Sequence, residues 1–326
     1  MSKFQPKQFI SAGRQAVASA SYDPKKLTLI HAGISAAVGF LVALMSYLLS
    51  ESMDQVGGLS GMSHLAALET AQTLLESLLS ILSPFWALGF MACAVRWVRG
   101  ADPTPGTLLT GLRRWGPALR MMLLQGLLYV GVMMLCGQIG SFVFMLTPAF
   151  TQLQELLLPL QNADLTQLDS VEQLLLGLDF DTLLHIALTM FPFIFLPGLI
   201  LVVLLAYRMR LAPYILMDEP RCGAVFAVLL SFKLTRRHTL ELFRLDLNFW
   251  WFYALETVIV ALCYGELFLP LLGLELGINP ILASFIFYAL ALVCQVGLYV
   301  WQKPNIFATY ALFYDGLLPR DAEEAI

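Results

Sequence analysis

Charge is scarce in this sequence. Asp, Glu, Lys and Arg make up 13% of 326 residues, about half the share of an ordinary soluble domain, while 59% are hydrophobic. That excludes a soluble globular reading and points to lipid as the solvent. Basic excess is missing too: 19 Lys and Arg stand against 23 Asp and Glu, for a net charge of -4, so no nucleic-acid partner is expected. Cysteine is sparse. Cys93, Cys136, Cys222, Cys263 and Cys294 form no Cys-x-x-Cys pair and suit packing roles. The four histidines are scattered, and no zinc helix motif, nucleophile elbow or phosphate loop occurs. No catalytic residue, metal ligand set or cofactor is therefore expected, and an enzyme is the less favoured reading.

Long apolar runs are abundant. A helix needs about 20 mainly apolar residues to cross the hydrocarbon core. Six runs qualify, at 27–50, 71–98, 117–146, 182–207, 247–272 and 281–301. The first follows 26 mostly polar residues and exceeds a signal-peptide core, so it reads as an uncleaved span. Sorted by connection, all 19 basic residues fall on one side: in segment 1–26, around the second-to-third connection, in the basic region 208–246, and in the tail 304–326 with its flank. The other connections, including the acidic loop 147–181, carry acids alone. Basic loops stay in the cytoplasm, which places both termini inside. Trp97, Trp115, Trp250, Trp251 and Trp301 fall at that inner boundary, as an aromatic belt should. The expected fold class is all-α, a polytopic six-helix membrane domain over 27–303 with interfacial amphipathic helices.

Residues 4–20 form a weak amphipathic pattern, read either as a helix along the inner leaflet or as a short solvated one. In 223–243, Phe226, Leu229, Leu230, Leu234, Leu240 and Phe243 recur at helical spacing. Lys233, Arg236, Arg237 and Arg244 accompany them, marking an interfacial helix with lipid-headgroup candidates, unless positive-inside topology alone explains the charges. Leu153, Leu156, Leu157 and Leu160 predict a short outer helix, and Val171–Leu176 a second.

An ionisable residue at membrane depth is costly and is by default a functional hypothesis. Glu256 lies about nine residues into the fifth span, near the midplane. Gln125, Gln138, Gln295 and His185 are the other intramembrane polar candidates, with His31 near the inner end of the first span. Glu256 reads as a relay group or as a neutral hydrogen-bonding link between helices. Pro192 and Pro197 should kink the fourth span. Gly131 and Gly137 are expected to allow close helix approach.

The run Ser231-Phe232-Lys233 to His238, followed by Leu242-Phe243-Arg244-Leu245-Asp246-Leu247-Asn248-Phe249-Trp250-Trp251, and the closing run Phe307-Ala308-Thr309-Tyr310-Ala311-Leu312-Phe313-Tyr314-Asp315-Gly316-Leu317 are distinctive. Together they resemble an uncharacterised bacterial integral-membrane family, the domain of unknown function 975. Asn248 departs from the usual Ser, and Pro304-Asn305 from the usual Pro-Tyr. The resemblance implies a multi-pass protein of the bacterial cytoplasmic membrane, of Gram-positive Firmicutes, and carries over no catalytic residue. The expected function is a non-enzymatic scaffold, regulator or accessory subunit, acting at the inner face on a membrane protein partner or anionic lipid. The alternative is a small-molecule transporter or efflux component using Glu256 and the kinked fourth span. The oligomeric state is left open.

Overall fold

The structure, a computed structural model, describes residues 5–55, 59–161, 180–265 and 280–318. Among them every regular element is a helix: α1 (Pro6–Ala18), α2 (Pro24–Gln55), α3 (Leu59–Val98), α4 (Pro105–Leu108), α5 (Thr110–Arg113), α6 (Trp115–Met145), α7 (Pro148–Gln161), α8 (Phe180–Ile194), α9 (Leu196–Met209), α10 (Ala212–Asp218), α11 (Ala224–Thr235), α12 (Thr239–Asn248), α13 (Trp250–Leu262) and α14 (Pro280–Leu317). Five segments are long and apolar enough to cross a membrane: 24–48, 70–98, 115–145, 184–218 and 282–317. The pair α12 and α13, bent by 61°, would supply a sixth if it counts as one. The chain divides into two units, 1–120 with 211–326, and 121–210.

In the first unit α14 packs along α2, α3, α13 and α1. Helix α2 starts at Pro24, whose missing N–H costs nothing at a first position, and the Asp23 carboxylate accepts the Lys25 amide at 2.9 Å as an N-cap. Helix α3 stops at Gly100. Its φ of +69° suits glycine, and the Ala101 amide reaches back to the Arg96 carbonyl at 2.9 Å in a Schellman closure. The chain then turns into α4 and α5, whose backbone runs directly against α3. A Cβ at Gly89 would overlap the Leu108 carbonyl, and one at Gly111 the Phe85 carbonyl.

One end of this unit is a polar-rimmed layer. Arg99 takes both oxygens of Asp218 at 2.6 and 2.8 Å and reaches Asp315 at 3.1 Å, while the Tyr314 hydroxyl donates to Asp218 at 2.9 Å. The hydrogen bond to Asp218, more than its charge, raises the Arg99 pKa further, so this guanidinium stays charged at any working pH. Arg114 donates to the carbonyls of Leu216, Glu219 and Pro220, closing the C-terminal end of α10. Hydrogen bonds from the side chain and backbone of Ser21 hold the Asp102 carboxyl below its ordinary value.

Several expectations change here. The segment read as a tail, 304–326, is helical through Leu317, and residues 319–326 lie outside the described residues. Ile306, Ala308, Tyr310, Ala311, Phe313 and Tyr314 are buried, and that stripe carries the helix past Pro304. Helix α1 packs one face on α14. Phe9 meets the Phe313 ring at 5.8 Å, and Gly13 sits so close to Thr309 that a Cβ would come within 2.6 Å of its hydroxyl. Trp97 is 2% exposed and belongs to the core, whereas Trp115, Trp250 and Trp301 are exposed. In the run from Leu242 to Trp251, Leu242, Leu245 and Phe249 are buried and the Tyr310 hydroxyl donates to Asp246. Both runs that carry the family resemblance thus fold into this polar-rimmed layer of the first unit. The expected fifth span bends at Phe249, where α12 gives way to α13; residues 266–272 of it lie outside the described residues.

The second unit holds most of α6 with α7, α8 and α9. Phe144, Ala149 and Ile186 form its core with Phe150, Leu153, Met190 and Phe193. The expected outer helix is α7; the second, at 171–176, lies outside the described residues. The fourth span breaks at Phe195. Pro192 lies inside α8, and Pro197 opens α9. Pro197 has no N–H for the Phe193 carbonyl. Gly140 of α6 approaches that same oxygen so closely that a Cβ would overlap it, which allows a weak Cα–H contact with the carbonyl that proline leaves free. Gly131 and Gly137, expected to serve close approach, meet nothing within 4 Å.

Candidate functional site

Among the cavities of the first unit, two share lining residues on α2 and α14. The first, called outer and the second inner after the expected orientation, has about 670 Å³ and is lined by residues of α2, α3 and α14 together with Cys263. Gln72 links its polar groups, donating to Ser46 Oγ at 2.6 Å and to Glu76 Oε1 at 2.9 Å. The inner one, about 300 Å³, is walled by His31, Ser35, Ser83, Trp86, Gln295 and Lys303 among others. Gly39 and Tyr288 line both. A Cβ on Gly39 would stand 3.1 Å from the Tyr288 hydroxyl, so the two residues approach closely where the linings overlap.

The inner cavity is built from residues one helical turn apart. His31, Ser35 and Gly39 recur at i, i+4, i+8 along α2, and Gln295, Tyr299 and Lys303 do so along α14, which brings each set onto one face. Tyr299 is the junction. Its hydroxyl donates to Glu256 Oε1 at 2.5 Å and accepts from Gln295 Nε2 at 3.1 Å. Its ring lies 4.1 Å from Lys303 Nζ, with the rings of Phe307 and Phe90 at 5.8 and 5.9 Å. Such a cage favours a cation withdrawn from water. Nζ also meets His31 Nε2 at 3.3 Å. The imidazole is 4% exposed, stacks on Trp86 with centroids 5.7 Å apart, and has no partner at Nδ1. Trp86 Nε1 donates to the His31 carbonyl at 3.1 Å, pinning α3 to α2.

Of the residues singled out in the sequence, Glu256 and Gln295 come together here through Tyr299. Gln125, Gln138 and His185 belong to the second unit, where Gln125 is half-buried and the other two are exposed. Pro192 and Pro197 flank the break in that unit. Lys233, Arg236, Arg237 and Arg244 are exposed on and beside α11 and α12. Lys303, Tyr299 and Trp86 were not anticipated. Lys303 had been counted as a topology signal, and the i, i+4, i+8 polar stripe on the last span was the signal that would have found it.

No curated protein and no solved structure matches the chain significantly. The family model described as "Protein of unknown function (DUF975)" matches residues 23–321, which extends the resemblance seen in two short runs to nearly the whole chain. With a match over residues 23–321, and with apolar helices consistent with a membrane protein, the chain belongs to that family of unknown function.

Proposed function

We propose that the chain crosses a bacterial cytoplasmic membrane six times, with both termini inside, and acts as a carrier that admits a small polar solute along α2 and α14. The one-sided distribution of basic residues supports the orientation, and the bent pair α12 and α13 supports the sixth crossing. One observation supports the carrier reading: a mostly apolar outer cavity with a few polar groups and a more polar inner cavity share Gly39 and Tyr288 in their walls, with a lysine and a histidine lining the inner one. Pockets of a few hundred Å³ with a few convergent polar groups are the usual form of small-molecule sites. The transporter expectation had set such a site at the kinked fourth span. The carrier proposed here uses the first, second and last spans, and Glu256 joins through Tyr299.

The route is tested without knowing the solute. In a background whose native cysteines are replaced, Ser35→Cys should react with a small hydrophilic methanethiosulfonate reagent added from outside. Gly39→Val should slow that reaction roughly ten-fold or more by narrowing the passage, since a bulkier side chain there meets Tyr288 and Leu292. Native Cys263, restored alone in the outer cavity, should keep its rate. An unreactive Ser35→Cys, or an unchanged rate in Gly39→Val, would sink the reading.

A second reading, a scaffold or regulator acting at the inner face, is favoured by the exposed surface of α11 and α12. Val225, Phe226, Leu229, Leu240 and Phe243 are exposed there with Lys233, Arg236, Arg237 and Arg244, the pairing that suits an anionic leaflet. Native mass spectrometry should retain phosphatidylglycerol over phosphatidylcholine. Replacing all four basic residues by alanine should erase that preference, at about 1 kcal/mol for each charge. Equal retention of both lipids in the parent protein would count against it.

A further inference from the structure

Resting on the carrier reading, we propose that the inner cavity is a carboxylate subsite, and that the solute is a small organic monocarboxylate with its charged end at Lys303 and its apolar body between Trp86 and Leu292.

Lys303 is the one formally charged side chain lining this cavity, and no acid lines it. An ammonium has three donors. One points to His31 Nε2 and the ammonium faces the Tyr299 ring at 4.1 Å, but no oxygen among the described residues accepts from it. A charge withdrawn from water with unused donors is costly unless a partner satisfies it. The cavity wall supplies the rest of a carboxylate's needs. Ser83 and the hydroxyl of Tyr288 lie on it, and so does the Gln295 carboxamide, whose Nε2 already meets Tyr299.

Stoichiometry of charge selects the class. A single ammonium balances a single carboxylate, while a phosphate monoester near two negative charges would leave one uncompensated in a poorly hydrated site. The remaining wall is apolar and small, made by Ala32, Ala36, Ala87 and Val296 besides Trp86 and Leu292. About 300 Å³ suits a short chain or a single ring, not a lipid with two tails. Glu256 lies behind Tyr299 and binds its hydroxyl instead of the ammonium, so Lys303 has no direct carboxylate partner of its own.

The probes are sodium hexanoate, 1-hexanol and hexylammonium chloride, equal in chain length and differing in charge, added to the full-length protein in nanodiscs. Trp86 fluorescence, taken as the difference between the parent protein and Trp86→Phe, reports occupancy, and thermal unfolding reports binding independently. Hexanoate should bind saturably and at least ten-fold more tightly than either other probe. Lys303→Gln should abolish that preference and Lys303→Arg should keep it, which separates lost charge from lost folding. Glu256→Gln, which removes the nearby negative charge but keeps an acceptor for Tyr299, should tighten hexanoate binding. Hexanol binding as tightly as hexanoate, or a preference that survives Lys303→Gln, would overturn the carboxylate assignment while leaving the carrier reading intact. No saturable binding of any of the three overturns it as well, and if Ser35→Cys is also unreactive the carrier reading falls with it.

Discussion

Gly89→Ala should destabilise the protein by roughly 3 kcal/mol, seen as a large drop in the thermal unfolding midpoint in detergent, because a single methyl group there has no room at all. At this point the backbones of α3 and the α4–α5 turn are in direct contact, and the added Cβ would overlap the carbonyl of Leu108. Neither side can yield by rotating a side chain, so the two segments must separate. Gly111→Ala should cost a similar amount, since its Cβ would overlap the Phe85 carbonyl from the opposite direction. Once one substitution has parted the segments the second has less left to disrupt, and the double variant should fall short of the sum. Gly126→Ala supplies the contrast. That glycine is helical and its Cβ would meet nothing within 4 Å, so the same chemical change should be neutral or stabilising by up to about 1 kcal/mol. A Gly89→Ala protein as stable as its parent would show that the close approach of α3 and α4 is absent.

Arg114→Ala should cost about 3 kcal/mol, and Arg114→Lys should recover less than half of it. The guanidinium is half-buried and reaches three backbone carbonyls, those of Leu216, Glu219 and Pro220, in the turn that ends α10. Those oxygens belong to a helix end, where no further amide follows to satisfy them. Charge-assisted bonds are the stronger kind, and only a planar fork spans several acceptors at once. A lysine can serve one or two of them. Chemical denaturation of the three proteins in the same detergent measures the difference. Equal stability of the lysine and arginine forms would mean that charge alone matters there. The substitution lies away from the inner cavity, so probe binding at Lys303 should persist in whatever fraction stays folded.

Helix placement was largely legible because it depends on the length of apolar runs, a local quantity. The first three spans begin and end within a few residues of the expected limits, and the proline break falls where Pro192 and Pro197 put it. Partner choice was much less legible. Trp97 carries the same residue type as Trp115 and lies at a similar nominal depth. One is buried and the other exposed, and only the neighbouring helix decides which. The last helix escaped for a related reason: its stretch around Lys303 is polar on one face and apolar on the other, and an average over the run merges the two into a boundary. Glu256 was conspicuous as a lone acid in an apolar stretch. Its partner Tyr299 was not, since a tyrosine in such a stretch is unremarkable until a carboxylate is seen 2.5 Å from its hydroxyl. The glycines followed the same rule, with Gly89, Gly111 and Gly140 at close contacts and Gly131 and Gly137 open.

The pairing of Lys303 with His31 joins residues 272 positions apart. Translation supplies about 5 to 20 residues each second, so His31 waits on the order of tens of seconds for its partner to be made. Helix α1 waits longer, because Phe9 and Gly13 rest on Phe313 and Thr309 near the far end of the chain. The first helices therefore enter the bilayer with their polar face unmatched. A chain released before its last helix would present that face and a loose N-terminal segment together, a combination that membrane proteases can act on.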